Sequence, residues 1–100
     1  MRTYTVVLGT DPEWPGYWVS CPAMPGTLSQ GQSRDEALAN IAEAMELWLE
    51  VTLEDGVNTL PETPELIAAE AASFRDIQAE NGWPIAVETA QVVVRVAAVA

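Results

Sequence analysis

The side chains able to do chemistry in this chain are carboxylates, arginines and one thiol. There are fifteen aspartates and glutamates, four arginines and Cys21, with no histidine and no lysine. Glu43, Glu46, Glu50 and Glu54 recur at three- and four-residue spacing, which sets all four on one face of a helix. Such a row offers oxygens suited to calcium or magnesium, a negative surface for a basic partner, or simply a solvated helix face. A straight face makes an incomplete cage, so the solvated face is the first reading and no metal is assigned. Two closer pairs, Asp11 with Glu13 and Asp35 with Glu36, have the chemistry for acid–base or metal-assisted hydrolysis, but no other residue converges on them. Lack of histidine removes the Ser-His-Asp and Cys-His arrangements, the histidine zinc sites and the commonest general base. Cys21 shares a strand face with Tyr17 and Val19 and, with no base to activate it, reads as a small buried hydrophobe. The chain is expected to be no enzyme and to need no cofactor.

Binding is the chemistry that remains. A net charge of −11 with four scattered arginines cannot build the basic patch on which nucleic-acid binding rests, and it favours a basic protein as partner. In residues 11–15, DPEWP, Trp14 sits beside acids and suits an anchor in a basic groove; the other reading folds it back onto its own sheet. In residues 22–26, PAMPG, the prolines and glycine shape a bend, and Met24 at its tip is an apolar side chain that something must cover. Asp11, Glu13, Trp14, Met24, Glu43, Glu46 and Glu50 are therefore the candidate partner contacts.

These residues must be held by a scaffold, and the pattern is legible along the chain. Residues 3–8 alternate, with Tyr4, Val6 and Leu8 on one side and Thr3, Thr5 and Val7 on the other, the period of a strand. A turn composition over residues 9–16 leads to a second strand at 17–21, and after the Pro-rich bend residues 27–32 offer a short third. Ser33 is placed to cap a helix, with Asp35 and Glu36 in its first turn and Glu36 completing a capping box. Leu38, Ile41, Met45, Trp48 and Thr52, flanked by Ala37, Ala44 and Leu49, form its core-facing stripe, and Gly56 ends it. Thr63, Pro64 and Glu65 open a second helix that stops at Asn81-Gly82. Residues 85–99 close the chain as a strand apolar on both faces, Arg95 excepted, which predicts cover on both faces. The order β-β-β-α-(α)-β is that of an α+β fold, an antiparallel-rich sheet with helices packed on one face. The longest apolar run is shorter than a bilayer span and is interrupted by charge, so no membrane partner is expected. One cysteine and no secretory signal point to the cytoplasm.

Residues 16–50 resemble the HicB-like antitoxin family. The resemblance is carried by Gly16-Tyr17, the turn Pro22-Ala23-Met24-Pro25-Gly26, Gly31, and the run Glu36-Ala37-Leu38-Ala39-Asn40-Ile41, with Tyr4-Thr5-Val6 matching the first strand. It implies a partial ferredoxin-like or RNase H-like sheet and the job of neutralising a small basic HicA-type mRNA-cleaving toxin by covering its catalytic histidine. Many members carry a C-terminal DNA-binding module. Here residues 1–100 are read as a single HicB-like domain without one, and the helix from Pro64 to Asn81 is read as an addition of unassigned role. The expected partner is the toxin, together with a second copy in a homodimer or dimer of dimers. The alternative is an orphan structural or ligand-binding module of the same fold.

Overall fold

Alternation along β1 (Arg2–Asp11) sorts the rest of the molecule, because successive side chains leave opposite faces of a strand. The computed structural model describes residues 1–12, 16–55 and 59–95, and for residues 53–55 the backbone alone. After β1 come β2 (Gly16–Ser20), β3 (Leu28–Gly31), α1 (Arg34–Asp55), α2 (Pro64–Glu80) and β4 (Val87–Val94). The four strands form one antiparallel sheet in the order β3-β2-β1-β4. The α+β class and the order of elements are those the sequence pattern predicts.

Tyr4, Val6 and Leu8 enter the main core with Val19, Cys21, Val92 and Val94, and Ala37, Ile41, Met45 and Leu49 of α1 cover them. The register sets Leu8 opposite Val19 and Tyr4 opposite Val92, so β1, β2 and β4 present one apolar face to α1. The helix is rotated slightly from its expected stripe. Leu49 lies at the centre, while Leu38, Ala44 and Trp48 sit at the margins, half-buried.

The second helix does not join α1. It packs on β1 and β4 from the opposite side, with Phe74 against Gly9 and with Val7 and Ala71 buried away from the main core. The expectation of both helices on one face is thus corrected to a sheet with one helix on each. The physical reason is in β1, where Val7, on the opposite side of the strand, is as fully buried as Val6 and Leu8. A strand apolar on both faces requires a layer on each.

Both helices begin as the capping residues dictate. The Ser33 hydroxyl accepts from the Glu36 amide at 3.1 Å, but the Glu36 carboxylate reaches the Gln32 amide at 3.4 Å, one residue earlier than in the usual box. Thr63 Oγ1 accepts from the Leu66 amide at 3.1 Å, with Pro64 at the first helical position. At the far end the Gly82 amide donates to Ala79 O at 3.1 Å and the Trp83 amide to Gln78 O at 2.8 Å. That pair is a Schellman motif, and Gly82 supplies the φ of +70° it needs. None of the described helices is long and apolar enough to cross a membrane. At the edges of the sheet stand β3 and β4. Val93 remains exposed, so at that position β4 lacks the two-sided cover its composition predicts. Residues 96–100 lie outside the described residues.

Candidate functional site

The Pro-rich bend turns inward. Met24 N–H donates to Cys21 O at 3.0 Å and Thr27 N–H to Met24 O at 3.1 Å, the second turn having Pro25 and Gly26 at its centre with Gly26 at φ +85°. Proline followed by a positive-φ glycine is what a type II turn requires. Trp48 Nε1 donates to Pro25 O at 3.2 Å, and Leu60 N–H to Ala23 O at 2.8 Å, so α1 and the segment before α2 both hold the bend down. Met24 consequently has 0% of its surface exposed and is among the largest fully buried side chains. The reading of Met24 as a partner contact is corrected: the chain covers it with its own core. Cys21 is buried beside it, and that burial pushes its thiol up to about 11, the behaviour of a structural hydrophobe.

The acidic candidates divide. The turn composition of residues 9–16 places Asp11 in a loop, but β1 runs on to it and pairs it with Gly16, leaving it buried on the α2 side of the sheet. Glu13 and Trp14 lie outside the described residues, as does the side chain of Glu54. Glu43 and Glu50 are exposed on the outer surface of α1, with exposed Leu47 and Val51 beside them. Glu46 stands apart from that row: it is half-buried, and its Oε2 accepts from the Arg95 amide at 2.9 Å. Asp35 and Glu36 are exposed in the first turn of α1, far in the chain from Asp11, and the Glu36 carboxylate is engaged with the Gln32 amide in capping that helix. Among the described residues, no three carboxylate, thiol or imidazole groups gather closely enough to hold a metal ion.

One surface was not legible from the sequence. Because α2 covers β1 and β4, the same face of β2 and β3 is left bare, and a groove of about 250 Å³ runs between it and the helix. Trp18 of β2 and Leu28 of β3, 41% and 56% exposed, form one wall; Phe74 and Ile77 of α2 with Trp83 form the other. Gly9 makes the floor, where a Cβ would stand 2.6 Å from Phe74 Cδ2. Gln78 fixes the helix beside it, with Nε2 donating to Thr10 O at 3.1 Å and Ala86 O at 2.9 Å, and Oε1 accepting from Ala86 N–H at 3.1 Å. Asp11 and Glu70 are the charged residues of the lining, and none of the described lining residues is basic. Alternation did place Trp18 opposite in face to Tyr17 and Val19. The missing signal was the strand order, which decides that α2 stops short of it.

Comparison with known proteins converges on one group. The family model described as HicB_like antitoxin of bacterial toxin-antitoxin system matches residues 4–96. A UPF0150 protein of Thermoplasma acidophilum is 44% identical over 48 residues, 47% of this chain and 67% of that protein. A second, from Synechocystis, is 45% identical over 47 residues, 47% of this chain and 65% of its own length. The N-terminal domain of the Burkholderia pseudomallei antitoxin HicB superposes with a TM-score of 0.63 at 25% identity, covering 94% of this chain and 99% of that domain. In the structure of that antitoxin as a longer chain, the same match spans 64%.

Proposed function

The chain belongs to the HicB-like antitoxin family, and from that premise we propose that it binds a small basic mRNA-cleaving toxin of the HicA type and inhibits it by occlusion. The observation that carries the proposal is the family match across residues 4–96, which takes in both helices, β2, β3, β4 and all but the first two residues of β1. No catalytic step and no cofactor is assigned to the chain. Its place of action is the cytoplasm, where such a toxin meets mRNA.

The physics suits the task. A net charge of −11 on 100 residues produces a field that speeds encounter with a basic protein and competes with the charge of RNA. Glu43 and Glu50, exposed and free of the packing that holds Glu46, contribute to that field from the outer surface of α1. The same reading includes self-association. β4 is an edge strand with exposed Val93, and edge strands recruit further strands unless they are covered, most simply in a two-fold dimer, which can pair again as a dimer of dimers.

The test is co-purification followed by reconstitution. Tagged chain is recovered from host lysate at low salt, each small basic protein that accompanies it is purified alone, and RNA cleavage is assayed with and without the chain. Cleavage abolished by stoichiometric chain supports the proposal. A chain that returns alone, and leaves every candidate ribonuclease active, overturns it.

A further inference from the structure

We infer that the groove between α2 and the bare face of β2 and β3 seats a cationic side chain, arginine or lysine, of a basic protein partner. The partner's basic character rests on the antitoxin reading above; the surface and the chemistry of its recognition go beyond it.

Three aromatic side chains line the groove. Trp18 comes from β2, Phe74 from α2, and Trp83 from the Schellman motif that ends α2. Aromatic faces attract cations, most strongly those of tryptophan, and arginine also stacks on them. Glu70 on the lining supplies the countercharge, and no cation among the described lining residues competes for it. The aliphatic stem of an arginine or lysine would lie along Leu28 and Ile77, which are half or more exposed.

Small-molecule pockets run from about 300 to 1,000 Å³, and this half-open groove, at about 250 Å³, lies at the small end and has room for one side chain. Charge favours a basic partner over a second copy. At a net charge of −11 the chain repels itself, and it has no lysine and four arginines, of which Arg34 is engaged with Glu88 at 2.5 Å.

The first test uses N-acetyl-arginine methylamide and its neutral counterpart N-acetyl-norleucine methylamide as probes, titrated at constant ionic strength while the four tryptophan indole N–H signals are followed by NMR. Two signals, assigned to Trp18 and Trp83 by Trp→Phe variants, are expected to move with the arginine probe. E70Q is expected to weaken that probe at least threefold and to leave the norleucine probe unchanged. No movement, equal affinity for both probes, or signals that move with protein concentration alone would each overturn the inference, the last by placing a second copy in the groove.

The second test uses the reconstituted toxin complex and measures its dissociation. W18A, which removes a substantially exposed side chain, is expected to speed release at least tenfold, and E70Q at least threefold. Unchanged release in both variants overturns the groove as the seat while the antitoxin reading stands. If no ribonuclease partner is found and the arginine probe still moves both indoles, the antitoxin reading falls and the cation seat stands.

Discussion

Gly31 of β3 lies so close to the backbone of α1 that a Cβ built on it would stand 2.3 Å from the Ala37 nitrogen. The contact is what lets a four-residue edge strand turn directly into a long helix lying across it. Its φ is not in the left-handed region, so the requirement is space rather than backbone freedom. Backbone cannot swing aside as a side chain can, and Gly31→Ala must lift the first turn of α1 from the sheet.

Overpacking of this kind costs about 3 kcal/mol when the neighbour cannot yield. Gly26→Ala supplies the contrast. Nothing lies within 4 Å of a Cβ there, but the φ of +85° is unfavourable for alanine, a cost of ~1 kcal/mol. Urea denaturation should rank the two variants in that order, and equal midpoints would show that α1 has more freedom at Ala37 than the geometry gives it.

Gln78 predicts the hold on α2. Its amide serves two carbonyls and one amide of the β1 and β4 ends from a position only 3% exposed. Gln78→Ala strands two partly buried backbone groups, Thr10 O and Ala86 N–H, while Ala86 O keeps the Thr10 amide at 3.3 Å, and should cost on the order of 2–4 kcal/mol. Gln78→Glu retains the shape but faces two carbonyl oxygens with a carboxylate that cannot donate to them. It should be more destabilised at pH 7 than at pH 4, where the protonated acid recovers one donor. Thermal unfolding of both variants at the two pH values checks this, and a Gln78→Glu variant equally stable at both would remove the donor role.

How much of this was readable in advance follows from range of interaction. Capping, turn and helix-stop signals are local, and Ser33, Thr63, Pro25-Gly26 and Asn81-Gly82 act as their spacing predicts. Parity within a strand is also local, and it correctly paired Tyr4 with Val6 and Leu8. Which residues share a surface depends on strand order and on which face each helix takes, and these are set by contacts far apart in sequence. Met24 illustrates the failure: apolar at a loop tip, it looked available, and only the closure of the bend by Trp48 and Leu60 buries it. Asp11 failed for a different reason, since a strand boundary displaced by three residues moved it from loop to sheet. The groove was illegible on both counts, because Trp18 and Phe74 are distant in the chain and α2 was assigned to the other face.

Cys21 makes alkaline stability a readout of the core. Burial raises its thiol from 9.0 in the unfolded reference to about 11. Below pH 9 both states keep the proton and the full stability is present. Between pH 9 and 11 the unfolded chain loses its proton while the folded chain keeps it, so stability falls as pH rises through that window. The loss by pH 11 is on the order of 2–3 kcal/mol. The comparison is with Cys21→Ala, which isolates the thiol from every other effect of raising the pH. The difference in unfolding free energy between the two proteins should shrink or reverse on going from pH 8 to pH 11, and a constant difference would show that the thiol is not protected by burial. At pH 8 the native thiol should also resist alkylation until denaturant is added.

Steering and seating can be separated in the association kinetics. Glu43 and Glu50 are exposed on the far side of the sheet from the groove, so under the proposed function they are expected to act on a basic toxin through the field rather than through contact. Reversing both, as Glu43→Lys with Glu50→Lys, changes the net charge from −11 to −7, since each substitution removes one negative and adds one positive charge. Charges outside a contact alter the association rate and its salt dependence while leaving release nearly unchanged. The double variant should therefore bind the toxin roughly three- to tenfold more slowly at low salt, with the gap closing near physiological ionic strength, where the Debye length falls to about 8 Å. Stopped-flow association across a salt series measures it. A faster release in this variant would place the outer face of α1 inside the interface, whereas unchanged rates at every salt concentration would remove Glu43 and Glu50 from recognition altogether.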